Sequence, residues 1–566
     1  MNAPAPLPEG YHRENFLTLT HYVADIYHDL LTTEEHEFLD AFHGLPDVAQ
    51  SLYVRLVMRK GPLFRLDKLQ YADIEDSQAT LQLLAKQQFI SLQPEHDNTC
   101  ILALLTKPEL LDLYQQHSNS LIKGLHKLPK NQSKPAIVET FNQLPNQAML
   151  RVLLAEHYPW LERHHDNLIR RLKLLFFGNA RQDLSEFITT QLGIVTYENY
   201  RVDHNTRFYQ NRHRLEVIEQ LADNNDWQDQ YLADADIEAI AKQIEQLLQL
   251  LQQCRQDEYL QAKCQRHITR LARHLERLDP DQALHAYQHS LYPPSRERQA
   301  RILAKQGNIE QALAVINAID DEPQHPDEPA SVAALKKKLL QQVAATPGKK
   351  VSKSLTGKAI NAVPSLTLTL PQQDTAIELQ VAEHLSNQDT LCLHTENQLF
   401  CGLLGLLLWD IIFSEQADAF FNPYQFGPKD LWTADFYLRR KTAIENRLQL
   451  LRHEAWQPVV QQHQQQKQGI ANYLVNWQLF DETTTALFCR AIPGNHLESI
   501  FRLMLTHLGY YRNGFPDLVV IQESGYQLWE VKGPTDKLQS NQQRWLQFFQ
   551  QASIPAGVIY VQWQAE

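Results

Sequence analysis

One change of period divides this chain. From about residue 110 to 345, apolar residues recur at three- and four-residue spacing in stretches rich in Leu, Gln, Ala and Glu, the pattern of packed helices. Thr346 to Pro364 then carries Lys349, Lys350, Lys353 and Lys358 with almost no apolar residues, and Leu366-Thr367-Leu368-Thr369-Leu370 alternates like a strand. With 566 residues, several domains are required. The fold class expected is multidomain: a mostly α-helical N-terminal two-thirds, then a C-terminal α/β domain with a mixed central sheet. The divisions expected are a helical domain over 1–110, a second over 111–345, a basic linker over 346–364 and the α/β domain over 365–566.

In the second domain, Ala283-Leu284 and Ala312-Leu313 recur within similar surroundings, which predicts stacked helical hairpins of the TPR-like kind. Arg296, Arg298 and Arg301 fit a solvated helix face better than a phosphate site. In the first domain, Phe16, Leu17, Tyr22, Ile26, Leu30 and Leu31 predict a helix, and Thr32-Thr33-Glu34-Glu35 a capped helix start. Leu52 to Lys60 reads as a helix ended by Gly61-Pro62, with Arg55 and Arg59 on one face.

Charge sets a condition on any anionic partner. The chain holds 53 Lys+Arg against 66 Asp+Glu, a net −13, so attraction to nucleic acid or an anionic membrane must come from a local patch. Residues 55–68 supply one: Arg55, Arg59, Lys60, Arg65 and Lys68 against Asp67 alone give a local +4. Two readings fit, a solvated face and a grip on DNA phosphates.

The six cysteines form no CxxC pair and no zinc-finger spacing, as expected of reduced thiols in the cytoplasm. The N-terminal residues lack the pattern of a secretion signal, and the longest apolar run, Gly402 to Phe413 interrupted by Asp410, is too short to span a membrane.

Gly514-Phe515-Pro516-Asp517 followed by Leu518 to Ile521, and Leu528-Trp529-Glu530-Val531-Lys532 after a polar turn, read as a β-hairpin. Alternation puts Glu530 and Lys532 on one face, about 6–7 Å apart along the strand, and pairing brings Asp517 beside Glu530. Two carboxylates aimed at one point repel unless a divalent cation lies between them, and hard oxygen donors suit Mg²⁺ or Mn²⁺. The bland alternative is a turn-capping Asp517 with Glu530 and Lys532 paired on a solvated strand.

Pro516-Asp517 with Glu530-Val531-Lys532 resembles the PD-(D/E)xK nuclease superfamily. The continuation Gly533-Pro534-Thr535-Asp536-Lys537-Leu538 and Asn541-Gln542-Gln543-Arg544-Trp545 resembles its virus-type replication-repair nuclease domain. Upstream, His394-Thr395-Glu396-Asn397-Gln398, Gly405 to Phe413 and Pro423-Tyr424-Gln425, with Leu52 to Lys60 and Lys68-Leu69-Gln70-Tyr71, are similar to the Fanconi-associated nuclease family. The resemblance implies Asp517, Glu530, the Val531 backbone carbonyl and a helix-borne Glu396 as metal ligands, Lys532 as the catalytic lysine, and Gln542, with Asp536 and Lys537, as support. It also implies that Arg55, Arg59, Lys60 and Lys68 hold duplex DNA. Animal members begin with a ubiquitin-binding zinc finger; no such Cys/His arrangement precedes residue 11, so a bacterial form without ubiquitin recruitment is expected.

The activity implied is metal-dependent hydrolysis of DNA near a 5′ end or 5′ flap, in repair of interstrand crosslinks. The alternatives are a four-way-junction resolvase and a helical-repeat adaptor with a vestigial nuclease domain.

Overall fold

The computed structural model describes residues 10–71, 74, 76–121, 131–179, 181, 182, 187, 195–345 and 363–564. Apart from Val363 and Pro364, the expected linker lies outside the described residues, as does the chain before Gly10. Contacts divide the chain into two compact units, Met1–Ile194 and Val195–Glu566.

In the first unit, helices Tyr11–Ile26, Thr33–His43 and Asp47–Val57 bury Phe16, Leu19, Phe42, Leu52 and Tyr53. The capped start at Thr32 is a full capping box: the Thr32 hydroxyl accepts from the Glu35 N–H, and the Glu35 carboxylate accepts from the Thr32 N–H. Two expectations need correction. The helix carrying Arg55 stops at Val57, so Arg59 and Lys60 lie in the turn that follows. The stretch beyond 110 also contains a strand: Trp160–Arg163 (β3) is the centre of a three-stranded antiparallel sheet between Leu63–Arg65 (β1) and Ile90–Leu92 (β2). Such a strand is too short for periodicity to reveal.

Arg65 leaves the basic patch. Its buried guanidinium pairs with Asp67 and Glu109, each at 2.6 Å. Burial would raise Glu109, but the Thr106 N–H and hydroxyl and Arg65 outweigh it and hold the acid at about 2. This contribution to stability is present above the ordinary carboxylate range and is lost as pH falls toward 2. Arg65→Ala is expected to destabilise the unit by about 3 kcal/mol, read as a lower urea midpoint. An unchanged midpoint would mean that water replaces the guanidinium without cost.

In the second unit, helices Ile237–Gln253, Glu258–Leu275, Pro280–Tyr287, Ser295–Lys305, Ile309–Asp321 and Glu328–Ala345 each pack on the next. The recurring Ala283 and Ala312 are both fully buried, where a small side chain lets neighbouring helices approach. Arg296, Arg298 and Arg301 pair with Glu328, Glu276 and Glu297, so the three do not form an open phosphate face.

Beyond them lies a five-stranded mixed sheet in the order β4-β8-β7-β6-β5. Its strands are Ser365–Leu370 (β4), Thr390–His394 (β5), Leu518–Gln522 (β6), Gly525–Lys532 (β7) and Ala556–Trp563 (β8). β4 and β7 run parallel to β8, while β5, β6 and β7 pair antiparallel in turn. The expected hairpin is β6–β7, in the register Leu518 opposite Trp529. The apolar run, Gly402 to Phe413, covers most of the buried helix Leu399–Leu407 and the short helix Trp409–Ile412 that follows, and a Cβ on Gly402 would overlap the Phe480 ring. Among the described residues no helix is long and apolar enough to cross a membrane.

Candidate active site

The site forms where β6 and β7 part company. β6 begins at Leu518, so past Trp529 the edge of β7 has no backbone partner on that side. The Asp517 carboxylate takes that place: its Oδ2 accepts the Val531 N–H at 2.8 Å. A strand residue presents its N–H and C=O to the same neighbour, so the Val531 carbonyl faces this gap too. Glu530 and Lys532 share a face as alternation requires, with Lys532 Nζ 2.8 Å from Glu530 Oε1.

All three side chains are nearly closed to water: Asp517 is 7%, Glu530 1% and Lys532 8% exposed. Apart from the lysine's charge, no hydrogen bond of regular geometry reaches either Glu530 oxygen. Both carboxyls are pushed above their ordinary range. For Glu530 the cause is burial and then the Asp517 charge, which together exceed the help from Lys532. For Asp517 it is burial, reinforced by the charges of Glu378 and Glu396 against the Val531 N–H and Lys532. Two buried acids that resist ionisation, with orphaned oxygens, fit a divalent cation and suit nothing that a solvated strand face would need. The turn-cap reading of Asp517 is thereby set aside.

Glu396 is not on a helix, contrary to expectation. It lies in the turn between β5 and helix Leu399–Leu407, half exposed. The turn is held by neighbours instead. The Thr395 N–H donates to the Asp517 carbonyl at 2.8 Å, and the Asn397 Oδ1 accepts the Gly514 N–H at 2.7 Å. Asn397, in the left-handed region at φ 56°, also donates to Glu396 Oε1 at 3.1 Å. One ligand atom from each of His394, Glu396 and Asp517 lies within 4.8 Å of the others.

Sequence reasoning missed His394, Asn397 and Glu378. His394 ends β5 with its Nε2 3.9 Å from Glu396 Oε2. Glu378 occupies the first turn of helix Ile377–Leu385, where any acid is favoured by the helix dipole, so its type alone said nothing about a metal. Gln542 is at the third position of helix Ser540–Gln551, and its Oε1 accepts the Gln539 N–H at 2.8 Å, so here it caps its helix. Asp536 accepts the Gly533 N–H at 3.2 Å and steadies the turn after Lys532, while Lys537 is exposed.

In the N-terminal unit, the Arg55 and Arg59 guanidiniums both lie over the Tyr71 ring, 4.5 and 5.6 Å from its centre. Lys60 and Lys68 are exposed, Lys68 with Asp67 and Glu109 at 3.7 and 3.8 Å.

Residues 451–563 match the family model of the VRR-NUC domain, and residues 10–91 that of the FAN1 HTH domain. The chain is 31% identical to a Fanconi-associated nuclease 1 homolog of Pseudomonas aeruginosa, over 100% of this chain and 98% of the relative. The chain belongs to the Fanconi-associated nuclease family. The Arabidopsis thaliana homolog is 24% identical over 94% of this chain and 64% of its own. The crystal structure of paFAN1 bound to DNA with a 2-nt 5′ flap and a gap superposes with a TM-score of 0.83 at 30% identity, covering 99% of this chain and 100% of that one. This family member is a DNA nuclease, and its domain type with the acidic cluster indicates dependence on a divalent metal. The helix-turn-helix match embraces Arg55 to Lys68, an assignment that the residue pattern did not reveal.

Proposed function

We propose that the chain is a structure-selective phosphodiesterase that cuts DNA at 5′ flaps, degrades it 5′ to 3′, and serves interstrand crosslink repair in the bacterial cytoplasm. The observation that carries this reading is the buried Asp517–Glu530 pair beside Lys532. Support for the substrate comes from the similarity to a chain crystallised on 5′-flap DNA.

Asp517, Glu530, Glu396 and the Val531 carbonyl would hold Mg²⁺ or Mn²⁺, and the His394 imidazole adds a softer donor suited more to Mn²⁺. When bound, such a cation polarises the phosphodiester and lowers the pKa of the attacking water. Lys532, its Nζ 2.8 Å from Glu530 Oε1, is poised to offset charge that builds on the phosphate oxygens. Asn397 and Gln542 keep the surrounding turns in place. A vestigial nuclease would be expected to have lost one of Glu396, Asp517, Glu530 or Lys532, and all four are present.

In this reading residues 1–110 grip the duplex, 111–345 support it, and 365–566 cut, with 346–364 linking them. Arg55, Arg59, Lys60 and Lys68 contact phosphates, so Arg55→Ala with Arg59→Ala should weaken flap binding and reduce the slope of log K against log salt by about 2. Unchanged affinity and slope in a fluorescence-anisotropy titration would refute the grip. The function is tested by incubating end-labelled 5′-flap, nicked and linear duplexes with the protein and Mg²⁺ or Mn²⁺. Preferred cutting of the flap is expected; no cutting of any of them would overturn the reading.

A further inference from the structure

One cavity adjoins the acidic site without belonging to it. It encloses about 230 Å³ and is lined by Asn397, Gln398, Trp432, Tyr473, Asn476 and Arg512, among others. Asn397 forms its boundary with the catalytic carboxylates, since its amide donates to Glu396. The Gln398 Oε1 is engaged by Asn476 at 2.6 Å, which holds two amides on one wall.

The opposite wall is aromatic and cationic. The Arg512 guanidinium lies over the Trp432 ring, 4.2 Å from its centre. Tyr473, 52% exposed, meets Trp432 at 5.6 Å between ring centres and Phe426 at 5.3 Å. Trp432 is set firmly, because its carbonyl accepts the Gly509 N–H at 3.1 Å, and a Cβ on Gly509 would clash with that oxygen.

Arg512 stands apart from its neighbours in charge. Arg439, Arg440, Arg447, Arg452, Arg502 and Arg544 each pair with an acid. Among the described residues no carboxylate pairs with Arg512, whose guanidinium rests on the Trp432 face. An exposed cation kept without a counter-ion beside two aromatic rings and several amides is the chemistry that receives a nucleotide. The rings stack a base of any identity, the amides meet its edge, and the guanidinium meets a phosphate.

We propose that this cavity receives one unstacked nucleotide of the strand being cut, its base against Trp432 and Tyr473 and an internal phosphate on Arg512. Occupation of the cavity sets which phosphodiester reaches Asp517 and Glu530. The proposal rests on the nuclease reading and deepens it: the subsite selects the incision position, while the acidic cluster performs the chemistry. The stacking part of this recognition does not read base identity.

The test combines variants with an abasic scan. A single abasic nucleotide is moved along the cut strand of a 5′-flap duplex, and KM, kcat and incision position are measured for wild type, Tyr473→Ala, Trp432→Phe and Arg512→Ala. In the wild type one abasic position is expected to raise KM by about 5- to 100-fold. In Tyr473→Ala, whose exposed ring can be removed without opening a core, that penalty should shrink. Arg512→Ala should raise KM and spread incision over neighbouring phosphodiesters on intact DNA. If the wild type cuts but no abasic position matters, or the abasic and Tyr473→Ala penalties multiply independently, or Arg512→Ala cuts the same bond with unchanged KM, the subsite is refuted and the nuclease stands. If the wild type cuts nothing, the nuclease reading falls and the subsite with it.

Discussion

Asp517→Ala is expected to lower kcat on a labelled 5′-flap duplex by about 10³-fold or more, the scale at which electrostatic and metal-borne stabilisation of a phosphoryl transition state is lost. DNA affinity, supplied by phosphate contacts elsewhere, should stay within a few-fold of wild type. The size follows from the carboxylate's two tasks. Oδ2 terminates the open edge of β7 through the Val531 N–H, and the charge completes the acidic cluster with Glu396 and Glu530. Alanine removes both. Asp517→Asn separates them, since an amide oxygen can still accept that N–H but brings no charge. Loss of cutting in both variants identifies the charge as the essential property; retained cutting in Asp517→Asn would deny its catalytic role, and retained cutting in Asp517→Ala would remove the site from the chemistry altogether.

Glu530→Gln should move activity and stability in opposite directions. Cutting is expected to vanish, whereas the metal-free unit Val195–Glu566 should gain about 2 kcal/mol, read as a thermal midpoint raised by a few degrees. The reason is the raised carboxyl pair. A group whose folded-state pKa lies above its unfolded value binds more protons when folded, so stability falls as pH rises through and above the ordinary carboxylate range. Metal-free wild type should therefore melt lower at pH 8 than at pH 5.5, and Mn²⁺ or Mg²⁺ should reverse the loss at pH 8 because the cation takes the place of the proton. Scanning calorimetry with and without chelator checks both statements. A Glu530→Gln protein that melts below wild type without metal, or a wild type indifferent to cations at pH 8, would show that the pair is not held in tension.

The parts of the site legible in sequence were those with a fixed local period. Glu530 and Lys532 had to share a face because strand side chains alternate, and a polar turn between two apolar runs had to bring Asp517 back beside them. The cap at Thr32 was legible for the same local reason. Arg65 was not: its type and position suited the basic patch, but Glu109, 44 residues away, draws it into a partly buried pair. Glu396 was found only through resemblance, and its expected place on a helix was wrong, because Asn397 adopts a left-handed turn that delays the helix to Leu399. Arg512 carried no signal, since an arginine without a counter-ion is recognised only after every acid around it has been located.

By itself, then, the sequence determined the helical and mixed halves, the β6–β7 hairpin and the acid–acid–lysine constellation, all of which follow from contacts within a few residues or across one tight turn. Only the tertiary structure decided that the acids are buried together with Glu378, Glu396 and His394 around them, that Arg65 is drawn out of the basic patch, and that Trp432, Tyr473 and Arg512 line a cavity. Those outcomes depend on strands and helices separated by tens to more than a hundred residues. Burial and pairing belong to the neighbours that packing brings in, and no local period records them.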